Sequence, residues 1–169
     1  MGLLETTEFN HLNDLFIEEL EDLYDAEKRL TDALPKMAEA ASDADLKQAF
    51  KAHEMQTHQH VARLEEIFHR IGKSPSRETC QAMKGLIKEG EEMIDAKGNE
   101  AVRDAALIAA AQRVEHYEIA GYGTLRTFAR QLGLMDVAQT LQQTLDEEGE
   151  TDQRLTEIAE SRINPQASA

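Results

Sequence analysis

Apolar residues recur at steps of three and four along four long stretches of the chain, and nowhere do they alternate with polar residues for long enough to make a strand. The first stretch spans 7–41, with Phe9, Phe16, Leu20, Leu23, Leu30, Leu34 and Met37 on one seam and Pro35 as a point of kinking. The second starts behind Ser42-Asp43-Ala44-Asp45, an N-cap signal with acid in the first turn, and Gly72 closes it. Its seam carries Leu46, Phe50, Leu64, Ile67 and Ile71. The turn cluster Lys73-Ser74-Pro75-Ser76 follows, then a shorter helix over 77–96 stopped at Lys97-Gly98-Asn99. Asn99 caps the third long helix, which Gly133 ends, and the fourth runs over 135–162. The domain is expected over 7–163, between a flexible stretch at 1–6 and a flexible tail at 164–169.

Loop lengths turn these helices into a topology. The first and second are joined tightly, as are the third and fourth, so each pair is an antiparallel hairpin. A long connection with its own small helix separates the hairpins. The predicted fold is all-α: a four-helix bundle with one long crossover, the ferritin-like arrangement.

Each seam is broken near its middle by polar residues. The first delivers Glu27; the second, His53, Thr57 and His60; the third, Glu115 and Glu118; the fourth, Glu148 and Asp152. In an antiparallel bundle the midpoints share one level, so these residues predict a carboxylate-rich layer inside an apolar shell. An ionised carboxylate in a dry core costs several kcal/mol. A cation supplies the missing counter-charge, and oxygen and imidazole donors suit iron, manganese or zinc. Glu54 and His60 are alternative ligands. Tyr24 and Tyr122, one turn from Glu27 and Glu118, are candidates to hydrogen-bond ligands, and Asp152 lies at the layer's edge. His11, His58, His69 and His116 are expected on the surface. Gly121 and Gly123 point to close helix approach or a local bend.

Composition narrows the partners. A formal net charge of −15 disfavours nucleic acid and anionic membrane surfaces. Cys80 is the single cysteine, which excludes an internal disulfide and a Cys-rich metal site and fits a reducing compartment. The start M-G-L-L-E-T-T-E lacks a signal-peptide pattern, and no stretch is long and apolar enough to span a membrane. The expected location is the cytoplasm.

The stretches Y-D-A-E-K-R-L (24–30), L-K-Q-A-F-K-A-H (46–53), L-D-E-E-G-E-T-D (145–152) and above all the run from Asn99 to Leu125 around R-V-E-H-Y-E resemble the YciF/YciE-type family of bacterial ferritin-like proteins. The resemblance covers nearly the whole chain. It implies a ferritin-like bundle, a homodimer, a link to general stress response and a site for iron or manganese. Carried over residue by residue, it implies metal ligands at Glu27, His53, Gln56, Glu115, Glu118 and Glu148. Gln56 stands where the family usually has a glutamate, and Glu148-x-x-Thr151 replaces the Glu-x-x-His of ferritin-like di-iron sites. A neutral amide cannot bridge two metals as a carboxylate does. Two functions follow: a metal-carboxylate protein that oxidises Fe(II) or consumes peroxide, a ferroxidase- or peroxidase-like activity, or a non-enzymatic dimeric stress protein with a degenerate site. A nucleic-acid-binding, cage-forming miniferritin ranks behind both because of the acidic balance.

Overall fold

The computed structural model describes residues 8–169, so the stretch expected to be flexible at 1–6 lies outside the described residues. Four long helices make the bundle: α1 (Leu12–Ala40), α2 (Ala44–Arg70), α4 (Glu100–Gln131) and α5 (Met135–Ile158). The short α3 (Gln81–Ile94) lies in the crossover. Among the described residues there is no strand.

The helix ends follow local chemistry. Asp43 caps α2 by accepting from the backbone N–H groups of Asp45 and Leu46, and Asn99 does the same for α4 from Ala101 and Val102. Gly72 (φ 72°) and Gly133 (φ 76°) stop α2 and α4 in the left-handed region, where a side chain would be strained. Pro35 lies inside the continuous α1. Phe9 departs from its expected place: it precedes α1 and is 44% exposed, so it does not extend the buried seam. After α5 a π turn (Ala159–Ile163) leads into α6 (Asn164–Ala167), within the stretch read as a flexible tail. Buried Ile163 holds this end down, as does Arg162, paired with Asp43 at 2.9 Å and Asp45 at 2.5 Å.

Neighbouring helices are antiparallel throughout. Arg70 meets Asp136 at one end of the α2–α5 pair, and Asp43 meets Arg162 at the other. Asp104, near the start of α4, accepts from the N–H groups of Ser42 and Asp43 at the end of α1. Gly121, further along α4, lies against Leu23. A Cβ at Gly121 would fall 2.9 Å from a Leu23 methyl, so this glycine sets the closeness of α1 and α4; Gly123 has no such neighbour. Since α2 and α4 run in the same direction, the chain between them must return along the whole bundle.

Asp25 fastens that return. Its buried carboxylate accepts from Arg29 Nε at 2.6 Å, Arg77 Nε at 2.9 Å and the Cys80 backbone N–H at 2.9 Å. Burial works against its charge, but these bonds outweigh it and hold the carboxyl below the usual aspartate range. A depressed folded value stabilises the protein above the ordinary pKa, and that stability is lost as pH falls through the folded value. Asp25→Asn is therefore expected to cost about 1–3 kcal/mol at neutral pH. The difference from wild type should shrink below about pH 4, as urea denaturation at stepped pH will measure. A difference that stays flat across that range would remove Asp25 as the anchor.

Candidate metal centre

Two apolar clusters fill the bundle. One gathers Leu30, Leu34, Phe50, Leu107, Ile108 and Leu155; the other gathers Phe16, Leu20, Leu64, Phe68, Leu125 and Leu141. Burying a side chain of this size stabilises by roughly 1.5–3 kcal/mol, so the shell is strong. The polar layer belongs to neither cluster. Glu27, His53, Thr57, His60, Glu115, Glu118 and Glu148 are all at most 3% exposed. The layer thus lies where the helical periodicity places it, and His60 is a full member of it.

Two overlapping groups of donor atoms form there. One ligand atom from each of His53, Glu115, Glu118 and Glu148 lies within 4.8 Å of the others, and the same holds for Glu27, His60 and Glu148. Glu148 belongs to both. His53 Nε2 is 3.2 Å from Glu115 Oε1 and 3.8 Å from Glu148 Oε2. His60 Nδ1 is 2.9 Å from Glu148 Oε1 and 3.3 Å from Glu27 Oε1.

Outer partners fix which nitrogen faces inward. His60 Nε2 lies 2.9 Å from Glu147 Oε2, and Glu147 in turn accepts from both terminal nitrogens of Arg63. Arg63 also donates to Thr144. A carboxylate can only accept, so Nε2 carries a proton toward Glu147; Nδ1 faces Glu148 and Glu27, where a proton holds it in the metal-free protein and a cation would take that proton's place. The Thr151 hydroxyl donates to the Glu147 carbonyl and lies 3.4 Å from His53 Nδ1. Accepting there, it leaves His53 Nε2 bare toward Glu115. Thr151, which stands where ferritin-like di-iron sites carry a histidine, orients His53 from behind. Tyr122 donates to Glu27 Oε1, a candidate ligand.

Other expected residues fall elsewhere. Tyr24 donates to Glu65 at 2.7 Å, away from the layer, because Tyr24 packs edge-on against Phe68 in the apolar cluster. Glu54 is half-buried and joins neither donor group, since one step from His53 turns it off the core face. Gln56 is half-buried beside His53 and lines an outer hollow with Gln48, Glu150 and Arg154. Asp152 accepts from Gln112 at 3.0 Å and lies 3.1 Å from His116 Nε2, at the edge of the layer. His11, His58, His69 and His116 are exposed. Glu147 and Arg63 are not legible in the seams because both sit beside them. Their spacing from His60 and the doubled acid Glu147-Glu148 are the available signal.

The layer has too many acceptors. The buried side-chain oxygens and nitrogens without a hydrogen-bond partner among the described residues all lie in it, apart from Nε of Arg103 and Arg126. They include both oxygens of Glu118 and of Glu148, His53 Nε2 and His60 Nδ1. Burial pushes all four carboxyls up, Glu115 to about 8, and mutual repulsion adds to this at Glu118. Burial pushes His53 down. Burial alone would lower His60 too, but Glu148 and Glu27 raise it to about 11. At Glu148 burial causes the rise, and His60 works against it. Burial also opposes the charge on Glu147, yet Arg63 and His60 hold it down to about 2. Protons relieve part of the repulsion. A cation relieves more, because carboxylate oxygens and two bare imidazole nitrogens already converge on it, and this donor set fits iron, manganese or zinc.

Residues 11–168 match the family described as a domain of unknown function, DUF892. The chain belongs to this family. It is 48% identical to Protein YciF of Escherichia coli K12 over 92% of this chain and 95% of that protein. The crystal structure of that stress protein superposes with a TM-score of 0.89 over 92% of this chain and 99% of the other. YcfI from Rhodopseudomonas palustris, named as a candidate structural protein, is 40% identical, with a TM-score of 0.86 over 89% of this chain and 96% of its own. A Xanthomonas campestris protein shares the fold at 23% identity and a TM-score of 0.71.

Two substitutions separate stability from ligation. Glu118→Met removes two unpartnered buried oxygens, so metal-free protein is expected to gain about 1–3 kcal/mol in chelator-treated melts. Glu147→Gln leaves the cluster intact but weakens its hold on His60. It should lower metal affinity about 10–100-fold, measured by competition with a chromogenic chelator.

Proposed function

We propose that this protein is a bacterial stress protein whose buried layer holds iron or manganese and which oxidises Fe(II) with dioxygen or peroxide. One observation carries the reading. The unpartnered buried acceptors of the bundle concentrate at a single level, where Glu148 joins the two donor groups. Glu27 and His60 would hold one ion; His53, Glu115 and Glu118 would hold a second, with Glu148 shared between them. A bound redox metal supplies one-electron chemistry that no side chain here provides. The chain's own part is to orient and shield. Glu147 and Thr151 keep the imidazole lone pairs turned inward, and Tyr122 holds Glu27. The two apolar clusters exclude water on either side, which strengthens every charge interaction in the layer. Gln56, beside His53, offers only a neutral amide, so the centre would lean on His60 where a glutamate in α2 would otherwise serve. The family resemblance supports a homodimer, and the single cysteine fits a reducing compartment such as the cytoplasm.

Protein purified without chelators should carry stoichiometric iron or manganese by elemental analysis. Adding metal at about a hundred times Kd should raise stability by about 3 kcal/mol. The double variant Glu115→Ala/Glu118→Ala should lose both effects together with Fe(II) oxidation. Unchanged metal content in that variant would sink the reading in favour of a structural stress protein.

A further inference from the structure

Glu115 has a second neighbourhood besides the metal layer. It also lines an apolar pocket between α1, α3 and α4, walled by Leu34, Met37, Ile87, Ala111 and Val114. The pocket holds about 40 Å³ of free space. A water molecule needs roughly 10–15 Å³ of such space and two or more polar partners. The volume admits a small guest, but the walls offer water almost nothing to bond. Apolar walls of this kind favour apolar atoms or small apolar molecules over water. Lys36 and Glu91, both exposed and both lining the pocket, pair at 3.0 Å between α1 and α3, so its outer edge carries no unpaired charge. Hydrated Fe(II) has no path here, and peroxide would lose its hydrogen bonds on entering. Other hollows on the surface are lined by charged groups such as Asp45, Glu150 and Arg154.

We propose that the apolar pocket roofed by α3 is a binding site for dioxygen and hands it to the centre at Glu115. This rests on the metal-centre reading above. It also gives α3 a role beyond spanning the crossover, since the helix closes the side of the bundle where the layer is reached through apolar side chains. Gly90, on the inner face of α3, keeps the roof low without touching the opposite wall; a Cβ there would meet Ala110 Cβ and Met37 Sδ at 4.0 Å.

Crystals of the full chain pressurised with xenon test the pocket without any metal. Xenon is expected between Leu34, Ile87 and Ala111, and its absence would overturn the site. Ala111→Leu fills the pocket, and Gly90→Ala narrows it by a methyl group at ordinary contact distance, which the fold accommodates. Both should lose xenon. A single added methylene in an apolar site discriminates by about 10–200-fold, so Ala111→Leu should slow dioxygen consumption by Fe(II)-loaded protein about tenfold, with Gly90→Ala in between. Fe(II) affinity and the peroxide-driven rate should stay at the wild-type level. Equal slowing with peroxide would overturn the assignment to dioxygen, and an unchanged dioxygen rate in both plugged variants would overturn the delivery role. Xenon bound in a protein that takes up no metal is the failure of the metal-centre reading; metal bound without xenon is the failure of the pocket.

Discussion

The structure depends on one imbalance. Four glutamates and two imidazoles are sealed between two apolar clusters, and they present more lone pairs than the surrounding protein has hydrogens to offer. Native cores rarely leave buried acceptors unpartnered, and each costs about 1–3 kcal/mol. The apolar shell, the capped helices and the fastened crossover must together outweigh that cost. The cost is concentrated in one place, which is what distinguishes a site from a poorly packed core.

The histidines show how finely the layer is arranged. Each has one nitrogen tied outward, His60 to Glu147 and His53 to Thr151, and the other turned bare toward carboxylates. A lone pair facing a carboxylate at 2.9 Å is repulsive unless a proton or a cation lies between. Both solutions use the same atoms, so proton and metal compete for one set of positions. Membership of the YciF-type family and the match to the stress protein's crystal structure place this chain on a known scaffold.

Much of this is legible in the sequence because both fold and layer are written in one period. Steps of three and four put Phe16, Leu20 and Leu64 in the shell, and the same steps put Glu27, His60, Glu115, Glu118 and Glu148 at its centre. Asn99, Asp43 and Gly133 mark helix ends by local chemistry alone. What stays hidden is contact between residues off the seam. The spacing of Arg63 from His60 sets it beside the seam but does not name its partner Glu147, 84 positions away. Nor does periodicity reveal Asp25, which lies in α1 but serves the crossover. Tyr24 misleads for the converse reason: it sits one turn from Glu27, yet its ring packs in the apolar cluster and its hydroxyl reaches Glu65.

The division of the layer between the hairpins has a bearing on assembly. Glu27, His53 and His60 come from α1 and α2; Glu115, Glu118 and Glu148 come from α4 and α5. In a separated hairpin each acid would stay hydrated at no penalty. Dehydration therefore falls wholly on the step in which the two halves close face to face. Helix formation within each half does not carry that penalty, whereas the union of the halves is where acidity and dissolved ions act on the layer.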